Sequence, residues 1–123
     1  MQMSGMYTPG EFEVEFEAGR LAVVRLLGEH DISTTQALAE RLSQLVESGS
    51  PLIFDLSDAD FLDSAVVHVI EEADSAARSR ELPLVVVAPP EATLVRRLLE
   101  ITGLVDRIPV FPTRVDAEAE IAG

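Results

Sequence analysis

Residues 11–17, Glu-Phe-Glu-Val-Glu-Phe-Glu, alternate acidic and apolar with period two. This pattern predicts a half-buried strand with Phe12, Val14 and Phe16 inward and four glutamates outward. Ala18-Gly19 makes a short turn, residues 20–27 return as a second strand, and Gly28 is expected to end it. Ser33 and Gln36 have the spacing of a capping box, and Leu38, Leu42, Leu45 and Val46 follow at helical intervals. Ser48-Gly49 and then Pro51 stop that helix. Residues 52–56 are short and apolar enough for a third strand buried on both faces.

An acidic loop with Asp55, Asp58, Asp60 and Asp63 leads from that strand to Ser64. The segment that follows is contested. Val66, Val67, Val69 and Ile70 favour a strand, whereas Glu71 onward favours a helix. One helix over about 64–80 is the expectation, with Asp63 or Ser64 as its N-cap. Residues 82–88 predict a fourth strand. Pro89-Pro90-Glu91 opens a helix with apolar positions at Leu94, Val95, Leu98, Leu99 and Ile101, capped by Gly103. Residues 107–111 predict a fifth strand, placed at an edge by Pro109, and 113–121 a closing helix.

The order is β-β-α-β-α-β-α-β-α. It implies an α/β fold with a mixed sheet of about five strands and about four helices. The N-terminal hairpin is antiparallel, and the later crossovers are parallel and right-handed. Residues 1–10 are expected to be a flexible tail, and 11–122 a single domain, in keeping with a length of 123 residues.

Composition then removes whole classes of chemistry. With no cysteine there are no disulfides, thiolate metal sites or cysteine nucleophiles. All nine basic residues are arginine, so an ordinary P-loop, a lysine Schiff base and a usual response-regulator receiver are excluded. A net charge of −13 argues against nucleic acid and suits a partner with a basic patch, or simply confers solubility. No apolar run has membrane-spanning length, and residues 1–10 lack a secretory pattern, so no membrane association and a cytoplasmic location are expected. The aspartates lack the glycine and terminal glutamate of an EF-hand loop, so neither a metal nor a cofactor is expected. Adjacent Asp63 and Ser64 with His68 on the same helix cannot form an aspartate–imidazole–hydroxyl relay, which argues against an enzyme. Ser64, at a helix start where an anion is welcome, is therefore either a cap or a phosphorylation switch.

Three stretches resemble the STAS domain of anti-sigma-factor antagonists. Leu27-Gly28-Glu29-His30-Asp31 is similar to that family's Gly-Glu-x-Asp turn. Phe54-Asp55-Leu56-Ser57 through Phe61-Leu62-Asp63-Ser64 is similar to its strand, loop and Asp-Ser signature. Leu98-Leu99-Glu100-Ile101-Thr102-Gly103-Leu104 is similar to a third, weaker stretch. The resemblance spans roughly residues 11–122. It implies a STAS-like mixed sheet and a non-enzymatic module, free as a monomer or weak dimer. By position Ser64 matches the phosphoacceptor of a GHKL-type serine kinase that is itself an anti-sigma factor. The implied partner face comprises Asp31, Ser33, Ser57, Asp63, Ser64, Ala65 and His68. The sequence departs from the family's Asp-Ser-(Ser/Thr)-Gly-Leu-Gly at Ala65, Val66 and His68. Branched Val66 and bulky His68 are expected to fill space that glycine leaves for a close partner. The alternative is a STAS-like scaffold or ligand-sensing subunit without a working phosphoswitch.

Overall fold

The computed structural model describes residues 11–17, 19–30 and 34–122. The expected tail, Asp31 and Ser33 lie outside the described residues. The glutamate-rich segment is strand β1 (Glu11–Glu17), which pairs antiparallel with β2 (Leu21–His30). Helix α1 (Thr35–Glu47) leads to β3 (Leu52–Asp55), a short strand β4 (Ala59–Leu62) and helix α2 (Ser64–Arg78). Then come β5 (Leu84–Val87), α3 (Thr93–Ile101), a 3-10 turn (Leu104–Asp106), β6 (Val110–Phe111) and α4 (Arg114–Ala122). The sheet runs β1-β2-β3-β5-β6, with every pairing after the hairpin parallel and β6 at the expected edge.

Sheet faces divide the core. Ala22, Val24, Leu26, Leu52, Phe54, Leu84 and Val86 pack with buried residues of α1, α2 and α3. Leu21, Val23, Ile53, Val85 and Val87 turn the other way and are covered by α4 through Ala117 and Ile121. Period-two alternation in strands buried on both faces produces two cores from one run of apolar residues.

Packing settles the contested segment after Ser64. Val66, Val67, Val69, Ile70, Ala73 and Ala77 of α2 are all buried. Each large side chain gains about 1.5–3 kcal/mol from burial, against a few tenths lost to poor helix propensity. Burial wins, and the helix forms.

Five expectations change. The N-cap of α1 is Thr34 and not Ser33. Gly28 does not end β2: the strand continues to His30 through a bulge at Gly28–Glu29, where Gly28 takes φ +77°. The acidic loop contains a sixth strand, β4, which pairs with that extension of β2; Gly28 N donates to Asp58 O at 3.1 Å. Phe16 is exposed, although Phe12 and Val14 pack inward as expected. Helix α3 starts at Thr93, and Leu94 and Ile101 point to solvent while Val95 and Leu99 are buried. Residues 89–92 form a turn, in which Ala92 N donates to Pro89 O, before the helix begins.

Candidate functional site at the start of helix α2

The site is built on the end of β4. Asp63 is the N-cap of α2, extended at φ −87° and ψ 154°, and its Oδ1 accepts from Ala65 N at 2.8 Å. Its carbonyl accepts Val66 N at 2.9 Å, and its own N–H donates to His30 O at 2.9 Å. The cap is thereby stitched to the end of β2. Ser64 is the first helical residue, exposed, and no hydrogen bond among the described residues engages its hydroxyl. Asp63, not Ser64, does the capping, which leaves Ser64 Oγ in solvent at the positive end of a 15-residue helix.

Beneath this point lies His30, fully buried. Its Nε2 sits 2.9 Å from Glu11 O and its Nδ1 3.2 Å from Thr34 Oγ1. A carbonyl only accepts, so Nε2 carries a proton and donates it to Glu11 O. Through its ring and its carbonyl, this one residue ties β1, the start of α1 and the cap of α2 together. The sequence marked His30 only as part of a turn. Its place between a strand and an Asp-bearing loop was the available signal.

Ala65 is half-buried beside Ser64. Val66 is wholly buried, so it fills the core and does not block a partner, contrary to expectation. His68 is exposed, and its Nε2 lies 3.0 Å from Glu72 Oε2 one turn further along, so the ring is engaged away from Ser64. Ser57 sits in the β3–β4 turn and lines a cleft with Asp60, Pro89, Thr93 and Leu94 at the start of α3. Asp55 pairs with Arg25 and Leu62 with His30 along β2, a separation of roughly 16 Å at 3.3 Å per residue. The ends of β3 and β4, which lead into the Ser57 and Ser64 turns, are thus separate stations along β2.

The aspartates do not all surround Ser64. Asp55 is buried; its Oδ2 receives Arg114 Nη2 at 3.2 Å and its Oδ1 receives Ser57 N at 2.9 Å. Arg114 also reaches Glu15 Oε1 and Glu17 Oε2, at 3.3 and 3.0 Å. Burial disfavours the charge on Arg114, but bonds to Asp55 and Glu15 outweigh this and raise its pKa. Asp58 Oδ2 receives Arg25 Nη2 at 2.7 Å, and this hydrogen bond above all raises the arginine's pKa. Two of the four acids expected to crowd a phosphate are therefore neutralised by arginines. Asp60 is exposed in the cleft, and only Asp63 adjoins Ser64. Arg25 and Arg114 were not singled out in the sequence, because nothing local reveals partners 33 and 59 positions away.

Among the described residues no group of three His, Cys, Asp or Glu could hold a metal, and no helix is long and apolar enough to cross a membrane.

The STAS domain profile matches residues 13–117. An anti-sigma factor antagonist from Mycobacterium paratuberculosis is 30% identical, with a TM-score of 0.77 over 93% of this chain and 95% of its own. The anti-sigma factor antagonist SpoIIAA in its unphosphorylated form superposes at a TM-score of 0.80, with 19% identity over 92% of this chain and 97% of its own. The Bacillus cell fate determinant SpoIIAA in the phosphorylated form gives 0.70, with 19% identity over 90% and 99%. No curated protein matches. The chain belongs to the STAS domain family.

Proposed function

We propose that this protein is a cytoplasmic, non-enzymatic anti-sigma-factor antagonist that works by partner switching, with Ser64 as the substrate of a GHKL-type serine kinase that is itself the anti-sigma factor. The observation that carries this is the division of labour at α2. Asp63 caps the helix, and the neighbouring serine is left exposed with its hydroxyl unbonded. A phosphoryl group there adds about −1.5 to −2 charge. The helix dipole tolerates that charge within the free domain, while a docked surface bearing carboxylates is repelled. Unphosphorylated protein holds the anti-sigma factor and frees the sigma factor; phosphorylated protein releases it.

The partner face consists of Asp63, Ser64, Ala65 and His68, with Ser57 at its far side. Asp31 and Ser33 belong to it by the family resemblance. Burial of Val66 favours this reading over a scaffold with a decayed switch, because it removes one of the two bulky obstacles expected above the serine. The free form is a monomer or weak dimer.

The test is co-purification of wild type, Ser64→Ala and Ser64→Glu with the kinase-type anti-sigma factors of the native cell. Wild type and Ser64→Ala are expected to retain one such kinase and Ser64→Glu to lose it. Identical partners for all three would move the protein to the scaffold class.

A further inference from the structure

Helix α3 carries apolar residues on two faces. Val95 and Leu99 are buried in the main core. Leu94 and Ile101, two turns apart, are 67% and 73% exposed, with half-buried Leu98 between them. Their spacing of four and three residues makes a single ridge. Phe61 of β4, against which α3 packs, is 47% exposed. This is more than the scattered surface leucine that needs no explanation.

Arg97 stands on the same ridge, three residues after Leu94 and four before Ile101. Eight of the nine arginines hold a partner. Arg25, Arg107 and Arg114 bind carboxylates, and Arg78 binds both Asp74 and a backbone carbonyl. Arg20, Arg80 and Arg96 reach backbone carbonyls, and Arg41 reaches Gln44. Among the described residues Arg97 alone is without one, in a chain whose net charge is −13.

We propose that the outward ridge of α3, made of Leu94, Arg97, Leu98 and Ile101, is a second part of the partner surface, and that it docks into an apolar groove of the anti-sigma factor edged by a carboxylate that pairs with Arg97. This rests on the partner-switching function proposed above. Three observations fix the occupant. First, Leu94 lines the same cleft as Ser57 and Asp60, so the ridge is continuous with the Ser57 station of the partner face. Second, a helix of nine residues is about 13 Å long. Such a ridge cannot alone furnish the roughly 1,200–2,000 Å² of a stable interface, so it needs the adjoining Ser57 station beside it. Third, the Arg97 guanidinium is exposed and without a partner among the described residues, so a single carboxylate at the edge of the groove can pair with it locally although the chain as a whole is acidic. Arginine is among the residues enriched at interface hot spots, and here Leu94 and Ile101 flank Arg97 with apolar surface.

The experiment is titration calorimetry of the full chain against the purified kinase-type anti-sigma factors of the same cell. Leu94→Asp and Ile101→Asp are expected to weaken binding at least tenfold. Arg97→Glu should do so as well, with Arg97→Lys recovering part of the loss, while circular dichroism and urea midpoints stay at wild type because these side chains are exposed. If the kinase binds wild type and Ser64→Glu abolishes binding, yet all α3 variants bind normally, the ridge is overturned and the switch stands. If no kinase binds wild type, both fall. If wild type sediments as a dimer that Ile101→Asp dissociates, the occupant is a second copy and the proposal is wrong.

Discussion

The β3–β4 turn and the start of α2 have nearly the same composition, aspartates beside a serine, and use it in opposite ways. At the β3–β4 turn, Asp55 and Asp58 are consumed by Arg114 and Arg25, and Asp55 also holds the amide of Ser57. Their charges maintain the fold. At the start of α2 no cation approaches among the described residues; Asp63 spends one oxygen on the helix cap, and Ser64 is left unbonded. A carboxylate with an arginine opposite it is architecture, whereas a hydroxyl with its capping task already filled by a neighbour is available for modification. The difference lies in long-range partners, not in residue type.

Substitution can break this contrast, and the largest effect belongs to Asp55. Asp55→Ala removes one of the three carboxylates on Arg114 and frees the Ser57 amide, so it is expected to cost about 1–3 kcal/mol, read from urea denaturation. If the loss is below about 1 kcal/mol, the β3–β4 turn is not held in this way. Next is Asp63→Ala, expected to cost about 1 kcal/mol as a lost N-cap, with Asp63→Asn restoring most of it. Ser64→Ala, by contrast, should change stability by less than about 0.5 kcal/mol; an effect as large as that of Asp63→Ala would make the serine a structural residue. Asp58→Ala breaks a partly exposed pair and should cost under about 1 kcal/mol, shrinking as salt rises.

The smallest effect comes from α4. Protonated Glu118 donates a hydrogen bond to Glu17, and this bond, then burial, then the Glu17 charge raise the pKa of Glu118, with Arg114 opposing. The folded protein thus holds that proton more tightly than the unfolded chain, whose carboxyl titrates near its ordinary value of about 4.3. Stability from this group is present below the unfolded pKa and is lost as pH rises through the higher folded value. Glu118→Gln should therefore leave stability at pH 4 unchanged and raise it slightly at pH 7, by less than about 0.5 kcal/mol after screening. Thermal melts at the two pH values check the sign.

Much of this was legible in the sequence, and the parts that were not share a cause. Period-two alternation in residues 11–17 and helical spacing around Leu38 and Leu45 placed their elements because those patterns are local. The Asp-Ser pair was visible for the same reason. Strand β4 was hidden because four residues, two of them exposed, take their strand character only from pairing with a part of β2 that Gly28 seemed to have ended. Asp55 and Asp58 looked like neighbours of Ser64, since charge balance depends on Arg114 and Arg25 arriving from other elements. Leu94 and Ile101 looked like core because spacing identifies an apolar face without saying whether anything covers it.

The most direct test of the central claim is the intact mass of the protein from its native cell, alongside Ser64→Ala. The account predicts a single added phosphoryl group on wild type that maps to Ser64 and is missing from the alanine form. Protein that never carries phosphate under any growth condition, or carries it equally with alanine at position 64, would contradict it.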